Sequence, residues 1–225
     1  MLYVYALVDA DGRPPRPAGT GHDGAALCVV ARGEVAAICS RHDHLDLPVD
    51  REHLWRHERV AEALMDDHAV LPVRFGTTVA DDDALAAMLD ERQDEFRGAL
   101  ERVRGRVEIS VKVVWTPPEP PAEHADAAAA PGRAYLMGRL ETRNAAVALA
   151  DAIHGRLTAH AVDARREVLV TPRLLLSAAY LVDRGAVDAF LEASDDAARR
   201  HPELELVCVG PWPPHTFAQG AGGLG

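Results

Sequence analysis

The chain has 225 residues, 48% hydrophobic and 26% charged, so it can bury a core, and its length favours two compact domains. Its 35 Asp and Glu against 24 Lys and Arg give a net charge of −11, and without a basic stripe nucleic acid and anionic membranes are poor partners. Because no apolar run is long enough to span a bilayer and no signal peptide leads the chain, we expect a cytoplasmic protein.

The first predicted elements are strands. Residues 2–8 are apolar and rich in β-formers, and a turn-forming segment with Gly and Pro follows them. Residues 25–31 and 34–40 flank the two-residue connection Arg32-Gly33, which predicts an antiparallel hairpin. The Gly-rich segment between the first two strands, residues 19–24, lacks the spacing of a dinucleotide-binding loop, and we interpret it as a turn.

After these strands, the spacing of the apolar residues becomes that of a helix. Residues 50–67 place their apolar positions on one arc, with Asp50 as the N-cap. A short apolar strand follows at 69–75, and its Pro72 favours an edge position or a bulge. A second helix is predicted from 81 to 104, with aspartates at its N-terminal end and a glycine after its last turn.

A strand at 107–115 closes the predicted N-terminal domain, 1–115. Residues 116–132 hold five prolines and no large apolar residue, a composition typical of a linker. The C-terminal domain then covers 133–209, and a tail covers 210–225.

Within the C-terminal domain, residues 134–140 fit either a strand or the start of a helix whose apolar period continues to 161. Further predicted elements are strands at 168–171 and 174–182, a helix at 183–200 and a strand at 204–209. If 134–140 is a strand, the elements follow the order strand–helix–strand–strand–helix–strand, which is that of a ferredoxin-like domain. We therefore predict an α+β protein of two domains, each a small, mostly antiparallel sheet with packed helices, ferredoxin-like in at least one of them.

His57 and Glu58 are the first candidate site residues. Both lie near the apolar face of the first helix, and a partly buried carboxylate needs a partner. Arg74 is the only charged residue in the adjacent apolar strand and is the obvious candidate. The three residues fit a structural ion pair or acid/base chemistry. We favour the ion pair, because no nucleophile or second carboxylate is spaced to join them.

Other polar clusters predict no cofactor and no metal site. His53 and His57 are spaced to share a metal ion, with His42 and His44 just upstream, but a third and a fourth ligand cannot be identified. The three cysteines, at positions 28, 39 and 208, are dispersed in apolar runs, and we interpret them as reduced core thiols.

The tail carries the last candidates. The prolines in residues 210–217, GPWPPHTF, stiffen the backbone and hold Trp212 and Phe217 in a defined orientation. The two aromatic residues either clamp the tail onto its own domain or anchor a partner. We favour the clamp, because an exposed Trp is usually covered.

Several blocks are spread over nearly the whole chain. They are LYVYALV at 2–8, EVAAICS at 34–40, His57-Glu58 with Val60, AVLPVRFGT at 69–77, VKVVW at 111–115 and GPWPPHTF at 210–217. In this order they resemble the gas vesicle protein family GvpL/GvpF, and AVLPVRFGT and GPWPP are the more specific blocks. Val73 and His215 depart from the residues more usual in the family.

The resemblance implies a non-enzymatic accessory protein of gas vesicle assembly, with two α+β domains. It also implies two kinds of partner, the small hydrophobic shell-forming subunit and other accessory proteins. A soluble acidic protein of this kind could cover the subunit's apolar surface through a strand edge or an apolar interdomain groove.

Two alternatives remain open. One is a small-molecule or haem-binding enzyme of ferredoxin-like fold that uses His57, Glu58 and Arg74. The other is a regulatory module that senses a ligand. The fold alone does not decide among them.

Overall fold

A computed structural model describes residues 1–10, 15–17, 19–115, 131–167 and 173–218. The chain divides into two compact units. The first is Met1–Glu108 with the C-terminal residues from Pro211 onward, and the second is Ile109–Gly210. The described helices include none long and apolar enough to cross a membrane.

The first unit is a sheet with three helices. Its strands are β1 (Leu2–Asp9), β2 (Leu27–Arg32), β3 (Val35–Arg41), β4 (Val70–Pro72) and β5 (Thr78–Val79), and its helices are α1 (Arg51–Leu64), α2 (Asp82–Glu91) and α3 (Gln93–Val103). The strand order is β2-β3-β1-β4, and β5 also pairs with β1. The centre of the sheet is β1, and all eight of its residues are buried.

Several predictions of local structure in this unit are confirmed. The β2–β3 hairpin is antiparallel, with Arg32 opposite Val35, and Gly33 turns it with a φ of 54°. The N-cap of α1 is Asp50, whose carboxylate accepts a hydrogen bond from the His53 N–H at 3.0 Å. Pro72 lies in β4, at the end of the strand order, where a missing N–H is tolerated.

The single helix predicted from 81 to 104 is two helices. Arg92 leaves helical geometry, with φ −111° and ψ 21°, and so separates α2 from α3. Its guanidinium pairs with Glu95 at 2.8 Å and lies 4.7 Å from the centre of the Phe96 ring. The apolar stripe continues in phase across this break, so periodicity does not reveal it.

The second unit has the strand and helix order of a ferredoxin-like domain. Its elements are β6 (Arg106–Trp115), α4 (Pro131–Thr158), β7 (Asp163–Arg166), β8 (Leu174–Asp183), α5 (Val187–Arg200) and β9 (Leu204–Trp212). The strand order β7-β8-β6-β9 puts the first strand, β6, in the interior of the sheet beside the third. The predicted α+β class and ferredoxin-like domain are therefore confirmed.

The first strand of this domain differs from the predicted one. Residues 134–140 lie in α4, and β6, predicted to close the N-terminal domain, is the first strand instead. The division between the units falls at Glu108, within β6, because the buried β6 residues beyond it pack in the second core; these are Ile109, Val111, Val113 and Trp115. The part of the predicted linker from 116 to 130 lies outside the residues that the structure describes.

The strand that pairs with β8 also differs from the predicted one. β7 runs antiparallel to β8, from Asp163 opposite Leu181 to Arg166 opposite Ala178. The predicted strand at 168–171 lies outside the described residues.

The second core gives a direct test of this packing. Replacing the fully buried Phe190 of α5 with Ala should lower the free energy of unfolding by about 3–5 kcal/mol, because it leaves a cavity. The adjacent Leu191 is exposed, so Leu191→Ala should cost less than about 1 kcal/mol. Urea unfolding of both variants measures the difference, and equal losses would contradict the packing described.

Candidate functional site

The helix α1 buries one face and carries two exposed apolar residues among charged ones. His57, Val60, Ala61 and Leu64 are buried. On the outer side Leu54 and Trp55 are exposed, Trp55 by 47%, and Val49 just before the helix is 80% exposed. Of these residues Trp55 is the candidate for a binding site, because Trp is enriched among the residues that carry binding energy.

A groove runs beside Trp55. Its volume is about 610 Å³, within the range of roughly 300–1,000 Å³ that ligand sites span. We call it the α1 groove, and it is lined by Gly19, Thr20, Glu52, Trp55, Arg56, Arg59, Val60 and Ala63. Arg56 pairs with Glu52 at 3.3 Å. The exposed Arg59 adds a second guanidinium to the lining of the groove. The α1 groove therefore offers an aromatic ring beside positive charge in an acidic protein.

His57 connects the inner face of α1 to the sheet. Its Nε2 lies 2.8 Å from the carbonyl oxygen of Val73, which can only accept, so Nε2 carries the proton. Its Nδ1 then accepts from the Tyr3 hydroxyl at 2.9 Å, and that hydroxyl accepts from the Gly76 N–H at 3.0 Å. Burial lowers the pKa of His57. With both nitrogens engaged, His57 is a neutral structural residue here.

Tyr5 organises the loop that borders the groove. Its hydroxyl accepts from the His22 backbone N–H at 2.8 Å and lies 2.8 Å from the Ser40 hydroxyl. A Cβ on Gly21 would lie 2.1 Å from the Tyr5 hydroxyl oxygen, so this position requires glycine. The segment that we interpreted as a simple turn is therefore built around the Tyr5 hydroxyl.

His22 is fully buried among aromatic rings. It stacks on Tyr5 and on His53, with ring centres 5.6 Å and 5.7 Å away, and meets the edges of Tyr3 and Phe75. Neither ring nitrogen has a hydrogen-bond partner among the described residues. Burial lowers the pKa of His22 to about 4, and the nearby His57 and His53 lower it further in the same direction. The ring is therefore neutral at pH 7.

Glu58 and Arg74 do not form the predicted pair in the part of the chain that the structure describes. Glu58 is half-buried and accepts from His215 Nε2 at 2.7 Å. Arg74 lies beyond the end of β4, which stops at Pro72, and its side chain is exposed. The structure therefore does not bring His57, Glu58 and Arg74 together as a catalytic set.

The tail is held by its own contacts within the first unit. The Thr216 N–H and hydroxyl both donate to the buried Glu108 carboxylate at 2.8 Å. Phe217 is 1% exposed and Trp212 is half-buried. Together with the pair of His215 and Glu58, these contacts attach residues 215–217 to the unit that contains β1 rather than to the C-terminal domain that precedes them.

Within the described residues, no group of three or more His, Cys, Asp or Glu side chains is placed to hold a metal ion. His53, one of the histidines considered for such a site, pairs with Asp50 through Nδ1 at 2.7 Å.

Comparison with known proteins gives a consistent result. The model of the family described as gas vesicle synthesis protein GvpL/GvpF matches residues 1–219. Gas vesicle protein L of Streptomyces sp. strain CB03234 is 35% identical over 252 residues, which cover 97% of this chain and 92% of that protein. Gas vesicle protein F of the same strain is 28% identical over 239 residues, which cover 96% of this chain and 99% of that protein.

The fold has a crystallographic counterpart. The crystal structure of the gas vesicle protein GvpF from Anabaena sp. PCC7120 superimposes with a TM-score of 0.80 at 20% identity, covering 97% of this chain and 98% of that one. At this identity the likeness concerns the fold alone.

The buried His22 predicts an acid-sensitive first unit. Its folded pKa of about 4 lies below the ordinary value of 6.5, so between these values the unfolded chain binds more protons and stability falls as the pH falls. The loss attributable to His22 is up to about 3 kcal/mol. His22→Phe keeps an aromatic ring without a titrating group and should flatten the dependence of stability on pH over this range. Urea unfolding at several pH values measures it, and an unchanged dependence would contradict the assignment.

The tail contacts predict a graded effect of substitution. Phe217→Ala should speed exchange of the backbone amides at positions 216, 217 and 218 by roughly a hundredfold, because a buried ring is lost. The pair of His215 and Glu58 is partly exposed and worth less than about 1 kcal/mol, so His215→Ala should change exchange by no more than about fivefold. Equal effects of the two variants would show that Phe217 does not hold the tail.

Proposed function

Because this chain belongs to the GvpL/GvpF family of gas vesicle synthesis proteins and so has an accessory role in gas vesicles, we propose that it binds the hydrophobic shell-forming subunit during assembly. A subunit that builds a shell exposes apolar surface until it is incorporated, and a soluble, acidic binding partner would keep it from aggregating. We place this step in the cytoplasm, at or near the growing vesicle, where other accessory proteins are further partners.

The observation that carries the proposal is the exposed Trp55 in the α1 groove. An exposed Trp at the edge of a groove is the type of residue that supplies most of the binding energy in protein interfaces. Leu54 and Val49 are exposed as well, outside the lining of the groove. An apolar segment of the shell-forming subunit would thus find a preformed anchor on this unit.

The shape of the α1 groove favours a helical ligand. The lining positions from Glu52 to Ala63 extend over about 16 Å of α1, the length of roughly three helical turns. Arg56 and Arg59 border the apolar positions. We therefore propose docking of an amphipathic helix of the shell-forming subunit, with its apolar face against Trp55 and acidic side chains toward the arginines.

Strand addition to β9 is the competing mode of docking. This strand is at the end of the second sheet, and Val207 and Val209 on it are exposed. Glu205, also exposed, precedes them on the same face of the strand. The exposed valines of β9 are smaller than Trp55 and offer less contact area to a partner, so we assign the primary contact to α1.

The enzyme alternative receives no support from the geometry. Both ring nitrogens of His57 are occupied by Tyr3 and Val73. Arg74 is exposed, and Glu58 pairs with His215 instead. An accessory, non-enzymatic role agrees with this arrangement.

Co-expression with the shell-forming subunit and pull-down tests the proposal. Trp55→Ala should weaken binding by at least about tenfold, the effect of losing an anchor residue. Arg59→Glu should weaken it as well and reverse its dependence on salt, because a cation that attracts acidic side chains becomes an anion. Both positions are exposed, so both variants should keep the melting temperature of the parent chain.

Val207→Ala on β9 is the matched control, an exposed apolar residue of the second unit. It should bind as the parent does. A loss of binding with Val207→Ala but not with Trp55→Ala would assign the contact to the strand edge. No association of the folded parent chain at low salt would contradict direct binding altogether.

A further inference from the structure

Two cysteines face each other across the β2–β3 hairpin. Cys28 of β2 is directly opposite Cys39 of β3 in the antiparallel register. Their sulfur atoms are 3.1 Å apart, and the Cys39 Sγ also lies 3.5 Å from the Cys28 carbonyl oxygen. Both thiols are free. The third cysteine, Cys208, belongs to the second unit and lies 2.9 Å from the Ser194 hydroxyl.

The backbone is already compatible with a bond between these sulfurs. Residues directly opposite in an antiparallel pair have Cα atoms roughly 4.5–5.5 Å apart, within the range of about 4.4–6.8 Å found in disulfides. Closing the gap between the sulfurs to a bond of about 2.05 Å requires a movement of about 1 Å, which side-chain rotation can supply. No rearrangement of the strands is needed.

The two thiols differ in accessibility. Cys28 is half-buried and can be reached from solvent, whereas Cys39 is fully buried. Burial raises the pKa of the Cys39 thiol, and its hydrogen bond with Cys28 raises it further. An oxidant from solution would therefore meet Cys28 first, and Cys39 would react second, with a sulfur already in contact.

We propose that Cys28 and Cys39 are a reversible redox pair, which closes to an intramolecular disulfide when the chain meets a small-molecule disulfide. The Cys28 thiolate attacks one sulfur of that disulfide and releases one small thiol. The Cys39 thiolate then attacks the Cys28 sulfur of the mixed disulfide and releases the second small thiol. The protein loses two protons and two electrons, and the small disulfide is reduced to two thiols.

The site of the bond gives it a structural consequence. β2 is the end strand of the first sheet, held to the rest of the sheet through β3. End strands are the first to separate from a sheet and expose pairing groups to other chains. A covalent link between Cys28 and Cys39 would keep β2 in register under oxidising conditions, when a protein that handles an aggregating partner must itself stay folded.

Oxidised glutathione applied to the full chain, followed by blocking of free thiols and trypsin digestion, tests the proposal. Arg13 and Arg16 are followed by proline, so Cys28 lies in peptide 1–32 and Cys39 in peptide 33–41, while Cys208 lies in 201–225. We expect 1–32 and 33–41 to be linked after oxidation and separate after treatment with dithiothreitol. The melting temperature of the oxidised chain should rise by about 5 °C, because the bond closes a loop.

Variants distinguish the pair from nonspecific oxidation. Cys208→Ser should oxidise as the parent chain does, and Cys28→Ser should take up no glutathione at position 39. Cys39→Ala should stop at the mixed disulfide of Cys28, with glutathione on peptide 1–32. A parent chain that retains glutathione on Cys28, or that forms dimers through Cys28 instead of the internal link, would overturn the proposal.

Discussion

The first unit depends on the need to satisfy two buried tyrosine hydroxyls on its central strand. β1 is buried along its whole length, so Tyr3 and Tyr5 have no access to water, and an unpaired hydroxyl there would be costly. Tyr3 is satisfied by His57 of α1 and by the Gly76 N–H, and Tyr5 by Ser40 and by the His22 N–H. The helix and the two loops are thereby placed on one face of the sheet.

A β-bulge makes this arrangement possible. The register with β3 passes from Val4 opposite Cys39 to Ala6 opposite Ile38, which leaves Tyr5 as an extra residue on β1. As a result Tyr3, Tyr5, Ala6 and Val8 all contribute to the core beneath α1, which strict alternation of a strand would not allow. With its inner face fixed in this way, α1 is a rigid element that presents Trp55 on the outside, as a binding anchor requires.

The sequence predicts the local elements well, because strand propensity, the Asp50 cap and the hairpin glycine act within a few residues of the chain. It does not predict contacts between distant positions. The partner of Glu58 is His215, 157 residues away, whereas the nearest apolar strand suggested Arg74. Likewise β6 joins the second sheet through its packing with α4, α5 and β8, and no pattern within 107–115 indicates this. For the loop that contains His22, the sequence offers one local signal, Gly21. The structure explains this glycine, because a side chain there would collide with the Tyr5 hydroxyl.

The central claim, that the shell-forming subunit docks on the α1 groove, is tested most directly by hydrogen–deuterium exchange of the full chain alone and in complex with that subunit. Our account predicts slower exchange on binding in α1, and at Gly19 and Thr20 on the other side of the groove, with β9 unchanged. Protection confined to residues 204–212, with α1 exchanging as in the free chain, would contradict it.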